Sequence, residues 1–292
     1  MHPAPSIIFF TVFSGLGFGM LAFLGLGKPD VSGFTAFVFF AIAYALAVGG
    51  LISSTFHLGN PQRALKAFSQ WRTSWLSREG CLAVATLIVM GLYAIGIIFF
   101  NTRIGVLGLL GAALCVLTVL GTSMIYTQIK TVPRWHHWTT PLVFLSYALT
   151  GGAFLTGEVQ IAAAGLVTIG ILQIIAWVIG DKRFAASGST IETATGLGTI
   201  GKTRMFEAPH SSKNYLMKEM VHVIGRKHAR NLRIIGLVLL SLIPWVLLMF
   251  FPFSHMLAII AILAHVAGAL TTRWLFFAEA EHTVGLYYGQ RG

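Results

Sequence analysis

His57 and Glu79 bracket a short polar turn in a chain otherwise almost bare of charge within its apolar stretches. The turn reads Phe56-His57-Leu58-Gly59-Asn60-Pro61, then Arg63, Lys66, Gln70-Trp71-Arg72, Trp75 and Ser77-Arg78-Glu79-Gly80. An imidazole titrates near neutrality and can hold a carbonyl oxygen through a ring N–H. A carboxylate at the membrane edge can exchange protons as electrons arrive. Side by side at one membrane face, the two suit proton-coupled redox chemistry on a lipid-soluble quinone, in line with the functional default for ionisable groups at membrane depth. Each also has a plainer reading. His57 closes a helix at the interface. Glu79 lies in a helical first turn that Ser77 caps, where the helix dipole favours an acid.

The elements that must position this pair are membrane helices. The 292 residues are 56% hydrophobic and 10% charged, with mean hydropathy +0.79. Soluble domains carry about 25% charged residues. A membrane helix needs roughly 20 mostly apolar residues. Eight stretches qualify or nearly so: residues 7–26, 34–56, 81–100, 104–126, 141–155, 161–179, 234–251 and 256–277. The fifth is short and extends toward Trp138 if it begins earlier. Strand alternation is absent, which excludes a β-barrel reading. The first stretch lacks a basic leader and a small-residue cleavage site, so it is expected to remain as helix one. The expected fold is an all-α integral membrane protein: one eight-helix bundle over residues 1–292, both termini on one side.

Charge orients the bundle. Of twenty Lys and Arg, only Lys28 and Arg103 fall on the side away from the termini. Cytoplasmic loops carry the Lys/Arg excess, so both termini and the His57/Glu79 face are expected in the cytoplasm. The net charge of +11 then reads as topology and attraction to anionic lipid rather than nucleic-acid binding. It also suits a docking face for a soluble partner. Residues 181–233 form a long basic loop, far beyond the usual ~4–6 residues. Within it, residues 215–233 have the spacing of an amphipathic interfacial helix. Arg63, Trp71, Arg72, Trp75, Arg78 and Trp135 are candidates for the quinone slot or for docking. The aromatic members, with Trp138, also suit an interfacial belt.

Three other signals weigh less. Gly196 to Thr203 matches the phosphate-loop pattern G-x-x-x-x-G-K-[ST], but no strand precedes it to give the pattern its context. Cys81 and Cys115 lie far apart in helices three and four, which argues against zinc or iron–sulfur ligation. No two histidines are spaced for a transmembrane haem stack. One haem near the cytoplasmic face, from His57 with His136, His137 or His282, stays open on the residues alone. A secondary transporter, which needs ionisable groups at the midplane, fits poorly: the nine Asp and Glu fall almost wholly at helix ends or in loops.

Phe56-His57-Leu58-Gly59-Asn60-Pro61-Gln62-Arg63-Ala64, followed by Trp75-Leu76-Ser77-Arg78-Glu79, resembles the DmsC family. These are membrane anchor subunits of dimethyl-sulfoxide-reductase-type molybdoenzymes. The segments from Tyr126 to Pro141 and from Arg273 to Gly285 carry the same likeness. The resemblance implies a haem-free anchor, without redox metal of its own, in a bacterial cytoplasmic membrane. It implies an iron–sulfur partner subunit, a molybdopterin catalytic partner and a site for ubiquinone or menaquinone at His57 and Glu79. The long loop is more similar to that of the sulfite dehydrogenase branch, whose catalytic subunits work in the cytoplasm. The expected function is therefore electron transfer from sulfite oxidation to quinone. The alternative is a quinol-oxidising anchor of a sulfoxide or polysulfide reductase.

Overall fold

In lipid each peptide group must be bonded internally, and a run of about 20 apolar residues achieves this only as a helix. A computed structural model of the chain describes residues 1–56, 59–207, 212, 214–221, 228–252 and 254–289. Among these there is no strand. Seven helices are long and apolar enough to cross a membrane: α1 Pro5–Gly25, α2 Gly33–Thr55, α3 Trp75–Phe100, α4 Gly105–Thr127, α6 Val159–Ala186, α7 Ala229–Phe250 and α8 His255–Ala278. Between α4 and α6 lies α5, Thr139–Leu155, apolar but 17 residues long. Its N-cap is Trp138, so the short fifth stretch does begin earlier than its apolar run.

The central helix is α1. It is buried along most of its length, whereas the other long helices bury less than half of theirs. Small residues allow this. A Cβ on Gly19 would overlap the Ala148 carbonyl of α5, and one on Gly17 would overlap the backbone at Ala47 of α2. Close backbone approach through small residues is how helices pack where lipid supplies no hydrophobic drive.

A local break in α7 has a covalent cause. Pro244 has no N–H, so the Leu240 carbonyl four residues earlier loses its helical donor. Residues Val238–Leu242 adopt a π-turn, and Nδ1 of buried His265 on α8 donates to the Leu240 carbonyl at 2.7 Å. A polar side chain on a neighbouring helix thus meets the need that the proline creates.

The two ends of the bundle differ. At one end the Met1 ammonium donates to Ala280 O (2.8 Å), His2 N to Glu219 O (2.7 Å) and Thr283 N to Thr131 O (2.9 Å). The N-terminal residues, the α4–α5 turn, the α6–α7 segment and the residues after α8 therefore meet there. At the other end Lys28 pairs with Glu158, and Arg103 with Asp30 and the Val31 carbonyl. This grouping matches the division of Lys and Arg made from sequence.

Two expectations about the long loop need correction. Its ends are helical: α6 continues through Asp181, Lys182 and Arg183 to Ala186, and α7 already includes Arg230 and Arg233. The amphipathic stretch 215–233 is not one helix either. Within it helix covers Tyr215–Glu219, with Met220 as C-cap, and resumes at Ala229 as the start of α7; residues 222–227 lie outside the described set. The phosphate-loop look-alike has no phosphate-loop structure. Gly196 is a left-handed cap (φ 71°) after a five-residue helix, and a 3-10 turn over Leu197–Thr199 follows.

Candidate functional site

Glu79 lies inside α3, not in the turn before it. The helix begins at Trp75 with Ser74 as N-cap, so Glu79 is its fifth residue. Ser77 therefore does not cap α3. It is buried, and its Oγ has no hydrogen-bond partner. The capping explanation for Glu79 fails with it, because no acid occupies the first turn. The hydropathy of the stretch placed the helix start six residues late, since Ser77, Arg78 and Glu79 are polar residues inside the helix.

The carboxyl group is 5% exposed. Thr122 Oγ1 on α4 donates to Glu79 Oε1 at 3.3 Å. The same hydroxyl reaches the Thr118 carbonyl at 3.1 Å, and Thr118 Oγ1 lies 2.8 Å from Thr86 Oγ1. A threonine seam thus runs between α3 and α4 with Glu79 at its head. Among the described residues no Lys, Arg or His forms an ion pair with Glu79. A buried carboxyl with one neutral donor and no counter-ion is costly as a carboxylate, which suits a group that exchanges its proton.

The polar turn packs on the start of α3. Residues Pro61–Gln70 form a 3-10 helix, and Phe68 lies over Gly80, where an added Cβ would come within 3.2 Å of its ring. Arg78 closes the turn: Nε donates to Trp71 O at 2.9 Å, Nη2 to Arg72 O at 2.6 Å, and its guanidinium sits 4.5 Å from the Trp75 ring centre. Arg63, Trp71 and Arg72 are exposed on the turn, beside exposed Leu65 and Phe68. This is a basic, aromatic surface next to Glu79. His57 lies outside the described residues.

Trp135 is not part of that surface. It is 3% exposed, stacks on Phe276 with ring centres 5.2 Å apart, and donates Nε1–H to Phe276 O at 2.9 Å. It anchors the α4–α5 turn to α8 as core, so its reading as a slot or docking residue is corrected. A tryptophan at the membrane edge gives no signal in sequence for which way its ring turns.

Two further groups were not singled out as a site from sequence. Arg134, Asp181, Arg233 and Glu279 form one network at the same end. Arg233 is bidentate on Asp181 (2.8 and 2.6 Å) and also holds Glu279 (2.7 Å); Arg134 reaches Asp181 at 2.5 Å and Glu279 at 3.6 Å. It ties together α6, α7, the α4–α5 turn and the end of α8. The second group centres on Arg273 of α8, buried beside Tyr147, Gln173 and Thr272. From sequence these were loop and helix-end charges; their pairing is tertiary.

Residues 1–289 match the family model described as DMSO reductase anchor subunit (DmsC). The chain is also similar to a sulfite dehydrogenase subunit of Allochromatium vinosum, with 31% identity over 330 residues and 99% of each chain covered. No solved structure matches it.

Proposed function

Because this chain belongs to the DMSO reductase anchor subunit (DmsC) family, we propose that it is the quinone-linked anchor of a sulfite-oxidising molybdoenzyme complex. It is a multi-pass membrane protein and an anchor subunit by family. The sulfite assignment rests on its likeness to the sulfite dehydrogenase subunit of Allochromatium vinosum. In this reading the eight helices α1–α8 all cross a bacterial cytoplasmic membrane. Both ends of the chain, and the polar turn, face the cytoplasm because Lys and Arg concentrate there. An iron–sulfur subunit docks on the basic, aromatic turn around Arg63, Trp71 and Arg72. A molybdopterin subunit lies beyond it.

The observation that carries the quinone reading is Glu79: a residue 5% exposed, its carboxyl without a paired cation among the described residues, in the first turns of α3 beside the polar turn. A buried carboxyl without a counter-ion suits the proton-exchanging side of a quinone site, and His57 is the proposed donor to a carbonyl oxygen.

When bound, quinone accepts two electrons and two protons and leaves as quinol. The electrons come from sulfite and water, which yield sulfate and two protons at the molybdenum subunit. Glu79 holds the proton to be delivered. Thr122 fixes the orientation of its carboxyl, and Phe68 over Gly80 limits water access. With the site near the cytoplasmic face, proton uptake occurs on that side and the step moves no charge across the membrane.

Purification through a tag on this chain tests the reading. The expected result is co-purifying subunits containing iron–sulfur and molybdenum, with sulfite-dependent quinone reduction. A complex that instead consumes quinol to reduce a sulfoxide favours the reductase alternative. A reporter fused after residue 289 is expected to read cytoplasmic; a periplasmic readout overturns the orientation.

A further inference from the structure

Arg273 is 3% exposed, and among the described residues no carboxylate pairs with it. Its guanidinium lies 3.7 Å from the ring centre of Phe144 and 5.1 Å from that of Tyr147. Its Nε–H has no acceptor. An arginine offers five donors, and a buried charge without partners is strongly disfavoured. Here the Nε–H lacks an acceptor among the described residues.

Two cavities meet at this residue. The first, about 40 Å³, is bordered by Arg273, Tyr147, Gln173, Thr272, Arg134 and Glu279. The second, about 10 Å³, is bordered by Arg273, Tyr147, Ser14 and Thr122. A water requires roughly 10–15 Å³ and several polar partners. The first cavity thus has room for a few waters and the second for about one, while a quinone ring is too large for either.

We propose that these two cavities, joined at Arg273, form a hydrated proton route between the Asp181–Glu279 network and Glu79. At the inner end Thr122 borders the second cavity and donates to Glu79. Midway, Tyr147 donates to Gln173 Oε1 at 3.2 Å and also contacts Thr272 Oγ1. At the outer end Glu279 borders the first cavity and shares Arg233 and Arg134 with Asp181, whose side chain is 45% exposed. Tyr126 is in electrostatic reach of both Glu79 and Arg273.

The charge on Arg273 sets the form of transport. A lone cation repels an excess proton, as arginines do in pores that exclude protons. It stabilises a hydroxide. Glu79 carboxylate therefore takes the Thr122 hydroxyl proton as Thr122 takes one from a cavity water, leaving hydroxide beside Arg273. A proton entering past Asp181 and Glu279 restores the water. The route rests on the proposed role of Glu79 as the proton-exchanging group.

The test uses the assembled complex with Thr272→Val, Gln173→Leu and Arg273→Gln. The first two replace polar lining with apolar groups of similar size, and they decide the matter if Arg273→Gln does not assemble. The Glu79 carboxyl is followed by its infrared band, identified as the one lost in Glu79→Gln. After a pH jump that band is expected to relax about tenfold more slowly in the variants, a rate ratio of one decade. Quinone reduction is expected to slow in parallel, with reduction of a soluble dye unchanged. A Glu79 band that relaxes at the wild-type rate in both Thr272→Val and Gln173→Leu, or that ignores pH, overturns the route. Slowed relaxation in these variants supports it even if Glu79→Gln still reduces quinone, a result that would remove the quinone reading alone.

Discussion

Thr122 on α4 donates its hydroxyl to the carboxyl of Glu79 on α3, at 3.3 Å, one helical turn from the end of α4. The contact places Glu79 between two helices rather than in the turn beside them. It makes the carboxyl a buried group in a packed seam, at the same end as the basic turn. Helix capping is excluded as its role, and proton exchange is the role proposed for it.

The two candidate tryptophans separate by burial. Trp135→Ala removes a ring stacked on Phe276 and a hydrogen bond to its carbonyl, and is expected to cost about 3–5 kcal/mol of stability. Trp71 is 56% exposed, so Trp71→Ala is expected to stay within about 0.5 kcal/mol while weakening partner docking. Thermal unfolding of the solubilised chain, with co-purification of partners, checks both. Equal destabilisation by the two changes would contradict the placement of Trp135.

Arg233→Ala leaves Asp181 and Glu279 to share Arg134 alone. Glu279 is buried, so the loss is expected near the low end of the ~3–5 kcal/mol for a broken buried pair. Asp181 is half-exposed and adds less. A double-mutant cycle with Asp181→Ala measures the coupling. Additive losses would show that the bidentate pair is not formed.

The segment after α8 is expected to loosen in acid. His282 Nδ1 accepts from Val284 N at 3.0 Å, which requires that nitrogen to be unprotonated. Burial, then the nearby Met1 ammonium, holds its pKa below the ordinary 6.5. A depressed pKa means the folded segment binds fewer protons than the released one. Its stabilisation is full above pH 6.5 and is lost as pH falls through the lower folded value. Hydrogen exchange at residues Thr283–Tyr288 should accelerate below pH 6.5 in the wild type and be pH-independent in His282→Asn, apart from intrinsic chemistry. An unchanged pH response in the variant would remove His282 as the cause.

The apolar runs were legible because composition alone forces helices in lipid. Their ends were not. α3 includes Ser77, Arg78 and Glu79 near its start, and α6 runs through Asp181, Lys182 and Arg183, because a helix does not stop where hydropathy does. Glu79 was legible as a rare acid near a membrane helix, but its partner Thr122 lies 43 residues away. Arg273 was visible only as a helix-end charge. That its side chain is buried between α5 and α8 follows from packing, which no spacing within α8 encodes.

The role proposed for Glu79 is to couple this chain to quinone. The direct measurement compares wild type with Glu79→Gln in the assembled complex, with His57→Ala beside it. Sulfite-driven reduction of a soluble dye reports the partner subunits; sulfite-driven quinone reduction reports the anchor. In Glu79→Gln dye reduction is expected to persist while quinone reduction falls by about two decades or more, as for loss of a proton-transfer group. Quinone reduction at the wild-type rate in Glu79→Gln, with dye reduction intact, would contradict it.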